Sequence, residues 1–304
     1  MTMDGVLVVD KPSGPTSHDV VAWARRALRI KRIGHTGTLD PLATGVLALV
    51  VGRATRLAQF LSSDSKAYTA TIRLGVSTDT YDALGTPIEP ARDASPTPAR
   101  DVEAAAVESV LTLFRGHFEQ RPPQFSAKKI EGTRAYALAR QGRPITPALV
   151  PVAVGRLELL ELADGRLRLA LECSAGFYVR SLANDIGEAL GCGAHLEALR
   201  RTRSGAFDLT LAVPMDREGL PTTLVDERLV PLSRLLPEWP AATLTSRGRQ
   251  RAVHGQPIGR SDLAEVGVAV EPPADRMRLL DDTGQLVALA EARNGALHPR
   301  VVLV

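Results

Sequence analysis

The stretch of sequence from Gly34 to Gly52, GHTGTLDPLATGVLALVVG, joins a glycine-rich turn to an apolar run. One carboxylate, Asp40, stands among glycine, threonine, proline and leucine, and the run Val46–Val51 predicts a buried strand. The glycines allow the chain to approach a ligand closely, and Pro41 restricts Asp40 to extended or turn geometry. The segment predicts a rigidly presented carboxylate at the mouth of a strand; the alternative is an Asx turn that satisfies local backbone donors.

Cations cluster along the chain although its net charge is small. The 304 residues carry a formal charge of +3 and a pI of about 9.1, with 44% hydrophobic residues, as in a soluble globular protein. Such clusters favour a polyanionic partner such as a nucleic acid, and the alternative is a set of solvated faces. The clusters are RRALRIKR (25–32), Lys128-Lys129, Arg200-Arg201 with Arg203, and Arg247, Arg249 and Arg251.

Several classes of protein and site lack their sequence signatures here. Cys173 and Cys192 have neither disulfide-framework nor zinc spacing. The N-terminal apolar run is too short for a signal peptide, and Val46–Val51 is too short to cross a bilayer. The motifs of phosphate-binding loops, dinucleotide sites, zinc proteases and serine hydrolases are not found. We therefore expect a cytoplasmic protein with no membrane segment, no metal and no cofactor.

The pattern of apolar residues predicts an α+β fold with a mixed sheet, since strands and helices do not alternate regularly. After Phe207 the chain becomes proline-rich, and from about Ala241 its segments are short and β-like. We expect a first domain over 1–240 and a small β-rich domain over 241–304. The first domain is predicted to carry a Pro/Ala/Arg insertion near 90–100 and a basic segment near 121–150, with a helix from about Thr133 to Gln141.

Three further side chains are candidates for a site. Arg180, in GFYVR, lies in the first turn of a predicted helix, where the helix dipole disfavours a cation. An anionic partner, either Asp40 or a phosphate, would explain it, and the alternative is a solvated arginine. Tyr68 is a core ring or a platform on which a base stacks. His35 either contacts a ligand or caps a turn.

Taken together, five motifs resemble those of the TruB family of pseudouridine synthases, which modify uridine 55 in the T arm of tRNA. The similarity covers about Gly5 to Gly205, and the tail after Ala241 resembles a PUA-type RNA-binding domain more loosely. The resemblance implies a mixed, mainly antiparallel sheet in the catalytic domain. In order, the motifs are GVLVVDKPSGPTSHDVV, GHTGTLDPLATGVLALVVGRATRL, KAYTATIRLGVSTDTYDALG, QRPPQFSAKKIEGTRAYALARQG and CSAGFYVRSLANDIGEALGCGAHLEALRRTRSG.

The resemblance also implies roles for individual residues. Asp40 matches the family's catalytic aspartate, and Arg180 matches the arginine paired with it. Tyr68 matches the tyrosine that packs on the target base and is a candidate proton acceptor. The implied substrate-binding residues are His35, Tyr178 and Leu199, and the turn at Lys11 and Pro12 is expected to be mainly structural. Separately, the basic segment around Lys128-Lys129 is a candidate clamp over the T arm, and Lys128, Lys129 and Arg134 are the candidate RNA-binding residues.

Conversion of uridine to pseudouridine breaks the N1–C1′ bond, turns the base and joins C5 to C1′, so it needs neither a metal nor a cofactor. One carboxylate is sufficient as nucleophile or base, and attack at C1′, attack at C6 and abstraction of the C2′ proton all stay open for Asp40. The implied partner is tRNA, bound by a monomer without a protein partner. The alternatives are a non-catalytic RNA-binding or tRNA-folding protein and a small-molecule hydrolase with a lone aspartate.

Overall fold

The computed structural model describes residues 3–62, 65–89, 97–125, 129–130, 133–134, 147–215, 219–264 and 275–304. The helices are α1 Ser17–Leu28, α2 Ala58–Leu61, α3 Ala104–Thr112, α4 Val179–Ala189, α5 Val225–Arg228 and α6 Ser246–Val253. The strands are β1 Gly5–Lys11, β2 Ile33–His35, β3 Thr44–Val51, β4 Lys66–Leu74, β5 Ser77–Thr78, β6 Pro87–Ile88, β7 Gly116–Gln120, β8 Lys129–Ile130, β9 Thr133–Arg134, β10 Val150–Ala163, β11 Arg166–Cys173, β12 Ala194–Ser204, β13 Phe207–Asp208, β14 Val213–Pro214, β15 Val230–Pro231, β16 Ala241–Thr243, β17 Arg276–Leu280, β18 Leu286–Arg293 and β19 Ala296–Val302.

A large mixed sheet organises the first part of the chain. Its strand order is β14-β1-β3-β12-β4-β11-β10-β7, with β2 beside β3, β13 beside β12 and β15 beside β1. Neighbouring strands are antiparallel except at β1–β14 and β3–β12. A separate four-stranded sheet, β16-β17-β18-β19, follows near the C-terminus. The predicted α+β fold, with a mainly antiparallel sheet and a small β-rich C-terminal part, is confirmed.

The parallel contact between β3 and β12 is short and depends on one glycine. It consists of two register pairs, Arg200 with Thr44 and Arg201 with Gly45. Gly45 has φ +98°, and a Cβ atom there would lie 2.2 Å from the carbonyl oxygen of Arg201. Only glycine tolerates both the backbone angle and the close approach. This junction brings the loop before β3, which carries Asp40, beside the centre of the sheet.

Helix α1 begins at a capping box and is tied to the loop that carries Asp40. The Thr16 side chain accepts from the backbone N–H of Asp19, and the Asp19 carboxylate accepts from the backbone N–H of Thr16. Ser17 Oγ accepts from the Leu39 backbone N–H at 2.8 Å and lies 3.1 Å from the Leu39 carbonyl oxygen. The helix ends at Arg29, whose φ of 55° is left-handed. The first turn of α1 therefore supports the chain next to Asp40.

Two apolar cores lie on opposite faces of the large sheet, and β1 contributes to both. Leu7 and Val9 pack in the core with helices α1, α3 and α4, whereas Val6 and Val8 face the second core. The apolar run of β1 is continuous because both of its faces are buried. The second core also takes in side chains of the C-terminal sheet, including Leu286, Leu289 and Leu303.

Two predictions in the first domain need comment. The helix expected from Thr133 is wrong at its start, since Thr133–Arg134 forms a strand paired antiparallel with Lys129–Ile130; residues 135–141 lie outside the described residues. Of the insertion near 90–100, residues 90–96 are likewise outside them, and Ala99–Asp101 is a short 3-10 helix. Among the residues that the structure describes, none of the helices has the length and apolar character to cross a membrane.

Candidate active site

A cavity of about 670 Å³ opens between the Asp40 loop, strand β4 and the start of helix α4. These segments lie far apart in sequence, and the β3–β12–β4 order of the sheet brings them together. Five of the six residues assigned to catalysis or substrate binding line this cavity, and His35 does not. The five are Asp40, Tyr68, Tyr178, Arg180 and Leu199.

Asp40 and Arg180 form a two-point ion pair at the cavity wall. Arg180 Nε lies 2.9 Å from Oδ2 of Asp40, and Nη2 donates to Oδ1 at 3.1 Å. The Arg180 side chain is 7% exposed, whereas that of Asp40 is 34% exposed. Arg180 also donates to the carbonyls of Phe125 and Thr80. A buried guanidinium therefore fixes the orientation of a carboxylate that remains open to the cavity.

Asp82 provides a second carboxylate for Arg180, which sequence reasoning missed. Its Oδ2 lies 3.6 Å from Arg180 Nη1, and its side chain is 7% exposed. Its Oδ1 accepts from Thr80 Oγ1 at 2.7 Å and from the Leu84 backbone N–H at 3.0 Å. Two carboxylates thus offset the unfavourable position of Arg180 near the start of α4. In the sequence, Asp82 and Asp79 both stand in a turn-rich loop, and no pattern separates them.

Lys11 holds the Asp40 loop from the side of β1. Its Nζ is buried and donates to the carbonyls of Pro12, Pro41 and Ala43, at 2.9, 3.3 and 2.7 Å. Burial lowers the pKa of Lys11 to about 8, while the charge of Asp40 acts in the opposite direction. The ammonium thus binds the carbonyls of Pro41 and Ala43, which follow Asp40 in the loop. This agrees with the mainly structural role expected for the Lys11–Pro12 turn.

Arg201 holds the same loop from the side of β12. Its side chain is buried, and Nε donates to the Val46 carbonyl at 2.7 Å, Nη2 to Gly37 at 3.0 Å and Nη1 to Thr38 at 3.4 Å. The cluster at Arg200–Arg203 was interpreted as a candidate polyanion-binding group, and Arg201 does not fit that interpretation. Its neighbours are also paired: Arg200 with Asp10, and Arg203 with Glu172.

Tyr68 lies on β4, in register with Arg201 of β12. Burial raises the pKa of the Tyr68 phenol above its ordinary value, and the Arg201 guanidinium acts in the opposite direction by its charge and by a side-chain hydrogen bond. The phenol is therefore neutral near pH 7. It presents a ring to the cavity, and it accepts a proton only if its own hydroxyl proton leaves.

The remaining predicted substrate-binding residues occupy different places. Tyr178 precedes α4, and its backbone exchanges hydrogen bonds with the Gln120 side chain at 2.8 and 3.0 Å. Leu199 is buried at the cavity wall. His35 lies on β2, packs edge-on against the His18 ring and has a buried Nδ1 without a partner among the described residues. Burial lowers the pKa of His35 to about 4, so its ring is neutral at pH 7.

The three predicted RNA-binding residues are described only in part. Lys128 lies outside the described residues. The backbones of Lys129 and Arg134 belong to the β8–β9 hairpin, where they form a register pair. Groups of His, Cys, Asp or Glu side chains that could hold a metal ion are not found within the described ranges.

Comparisons with known proteins agree with this arrangement. The family model for the TruB family pseudouridylate synthase N-terminal domain matches residues 25–179, and that for the tRNA pseudouridylate synthase B C-terminal domain matches 180–235. The chain is 43% identical to tRNA pseudouridine synthase B of Solibacter usitatus, covering 99% of this chain and 100% of that one. It is 42% identical to the protein of the same name from Geobacter sulfurreducens, covering 96% and 95%.

A solved structure has the same fold. One chain of the crystal structure of a Cbf5-Nop10-Gar1 complex matches with a TM-score of 0.73 and 27% identity, over 99% of this chain and 85% of that chain. The family match, the near full-length relatives and the shared fold lead to one conclusion. The chain belongs to the TruB family of pseudouridylate synthases, and it is an isomerase.

Proposed function

We propose that this enzyme isomerises uridine to pseudouridine at position 55 in the T arm of tRNA. The observation that carries the proposal is the ion pair between Asp40 and Arg180 at the wall of an open cavity. Relatives named tRNA pseudouridine synthase B, at 42–43% identity over nearly their whole length, support tRNA as the substrate.

In this proposal Asp40 starts the reaction. Its carboxylate attacks C1′ or C6, or abstracts the C2′ proton, and the N1–C1′ bond breaks. Arg180 keeps Asp40 ionised and oriented when a base covers it, which offsets the cost of removing water from a carboxylate. After the base turns, C5 joins C1′ and gives up its proton. Tyr68 supplies a ring on which the base stacks, worth about 1–3 kcal/mol. It is a candidate to receive that proton, provided that its own hydroxyl proton passes to water first.

The target uridine stands in a folded loop, so it leaves the stack before it reaches the cavity. Flipping costs a few kcal/mol, which contacts to the RNA backbone offset. Tyr178 and Leu199 line the cavity that would receive the base, and His35 immediately precedes Thr36, which also lines it. We assign a clamp over the T arm to the basic segment 121–150, through Lys128, Lys129 and Arg134. Deleting that segment should weaken RNA binding; unchanged affinity contradicts the clamp.

The domain division belongs to the same proposal. Residues 1–240 form the catalytic domain, and residues 241–304 form a PUA-like domain that adds RNA contacts. The four-stranded sheet over Ala241–Val302 supports this division. The enzyme is proposed to act in the cytoplasm, on tRNA, as a monomer without a protein partner, which is the expectation from the family resemblance.

The test is incubation of the protein with an unmodified tRNA transcript, without added cofactor, followed by nucleotide-resolution mapping of pseudouridine. We expect modification at position 55 alone and none with Asp40→Asn. A tRNA-binding or tRNA-folding protein would bind the transcript without modifying it, and a hydrolase would turn over free nucleosides without RNA. Modification at another nucleotide contradicts the T-arm assignment.

A further inference from the structure

Five exposed cations surround the end of helix α1, and we call them the α1 patch: Arg25, Arg26, Arg29, Lys31 and Arg32. Residues 20–39 contain neither aspartate nor glutamate. Among the described residues, none of the five has a carboxylate within 4.0 Å. The patch is thus a local concentration of positive charge that the protein itself does not neutralise.

Exposed arginines elsewhere in the described chain commonly face a carboxylate. Arg156 pairs with Glu158 at 2.6 Å, and Arg166 pairs with Glu197 at 2.6 Å. In the α1 patch, two side chains reach only neutral oxygens: Arg25 donates to the Ile33 carbonyl, and Arg32 donates to Thr55 Oγ1. The patch therefore has the charge and the exposure of a site for an external anion.

The helix dipole explains only part of the patch. Arg25 and Arg26 lie in the last turn of α1, where a cation is favoured by about 0.3–1 kcal/mol. Lys31 and Arg32 lie beyond the helix, and their positive charges repel that of Arg29, which is close in the sequence. Stability of α1 therefore does not account for all five charges.

The patch lies at a defined distance from the cavity. Ser17 contacts the Asp40 loop, and Arg26 stands nine residues further along α1, about 13 Å at 1.5 Å per residue. In the other direction, the chain from Lys31 to Thr36, which contains β2 and ends at the cavity wall, covers about 16 Å when extended. Both distances exceed the Debye length of about 8 Å at physiological salt. The patch therefore acts on a ligand that passes over it and not on Asp40.

We propose that the α1 patch binds the sugar–phosphate backbone of the substrate RNA on the path leading to the cavity; this inference rests on the proposed function. Exposed arginine and lysine side chains without carboxylate partners contact phosphates and release counterions, which gives affinity without reading bases. The patch contributes affinity that depends on salt and not on sequence, and it leaves the chemical step unchanged.

The test neutralises the three patch residues whose side chains make no hydrogen bond or ion pair within the described ranges. The triple variant Arg26→Gln, Arg29→Gln and Lys31→Gln removes three charges and no side-chain hydrogen bond or ion pair of the described residues. The matched control also removes three charges, each of which faces a carboxylate within 4.0 Å. Its substitutions are Arg156→Gln, Arg166→Gln and Arg168→Gln.

Both sets are combined with Asp40→Asn, and tRNA affinity is measured over a range of salt concentrations. For the patch variant we expect at least about tenfold weaker binding near 0.15 M salt, and a slope of log Kd on log salt reduced by about 2 to 3. The control should match the parent. With Asp40 restored, the single-turnover rate at saturating tRNA should be unchanged.

Three results would overturn the proposal. The first is equal affinity and salt slope for patch variant and control. The second is a slower single-turnover rate at unchanged affinity, which would indicate a positioning role. The third is weaker binding to anionic lipid vesicles with unchanged tRNA affinity, which would assign the patch to a membrane. Patch-dependent tRNA binding by a wild-type protein that forms no pseudouridine would instead refute the proposed function and leave the patch intact.

Discussion

The cations around Asp40 and those of the α1 patch differ in burial and in partners. Arg180, Lys11 and Arg201 are buried, and each binds backbone carbonyls or carboxylates at several points. The patch cations are exposed and have no carboxylate partner among the described residues. A buried charge must be paired because leaving water is costly, whereas an exposed charge need not be. The first set determines the geometry of the site, and the second remains available for a ligand.

The substitution with the largest expected effect removes the charge of Asp40, around which the three buried cations are arranged. Asp40→Asn should lower the rate of pseudouridine formation by at least about 10⁴-fold, since a reacting group is lost. The affinity for tRNA should stay within a few-fold, because the proposed contacts to the RNA backbone are made by the α1 patch and not by Asp40. Single-turnover assays and equilibrium binding measure the two quantities. A loss of tRNA affinity as large as the loss of rate would contradict the separation between the Asp40 site and the α1 patch.

A smaller effect is expected at Arg201, which lies on β12 and donates to carbonyls of the Asp40 loop. Arg201→Met leaves the carbonyls of Gly37, Thr38 and Val46 without their donor, so we expect the free energy of unfolding to fall by about 3 kcal/mol. The displaced loop should slow the single-turnover rate by about 100-fold at unchanged tRNA affinity.

Arg200→Met is the matched control for that prediction. Arg200 is the preceding residue on β12, is 42% exposed and pairs with Asp10, so its loss should cost less than about 1 kcal/mol. Denaturant unfolding compares the two variants. An equal loss of unfolding free energy at both positions would mean that burial does not distinguish the cations that hold the fold from those that are free to bind a ligand.

Asp82→Asn should have a moderate effect through Arg180. The variant keeps an oxygen for Thr80 and Leu84 but loses the charge that faces Arg180 Nη1, so Arg180 is held less firmly against Asp40. We expect about a tenfold lower single-turnover rate, which corresponds to about 1.4 kcal/mol. Asp79→Asn, in the same loop, should leave the rate unchanged. Similar rates for the Asp82 and Asp79 variants would contradict the proposed part of Asp82 in holding Arg180 against Asp40.

The smallest effect concerns His35, at the end of β2. Its pKa is lowered by burial from 6.5 to about 4, so between these values the unfolded chain binds a proton and the folded chain does not. The free energy of unfolding should therefore fall as pH drops from 6.5 to 4, with a contribution of about 1 kcal/mol after allowing for partial exposure. His35→Asn should flatten this pH dependence in denaturant titrations. An unchanged profile would contradict a buried neutral imidazole.

Much of the fold could be predicted from local patterns, and errors occurred where those patterns were ambiguous. The capping residues of α1 and the apolar run of β3 lie where turn chemistry and hydrophobicity predict them. The helix expected at Thr133 begins as a strand, because a polar segment between two elements carries little periodicity. Asp40 and Arg180 were identified from unusual positions and from family resemblance. Asp82 and Arg201 were missed because their significance depends on contacts with distant residues.

By itself, the sequence determined most of the elements and the family, and it singled out Asp40 as the candidate carboxylate, since these depend on neighbouring residues and on motif order. Only the tertiary structure decided which cations are buried and what they bind. Arg201 lies in the cluster RRTR (200–203), yet its guanidinium reaches Gly37, 164 positions away, because β12 pairs with β3 across one glycine. Residue spacing along the chain does not encode such a contact, since burial and pairing arise only when distant strands meet in the sheet.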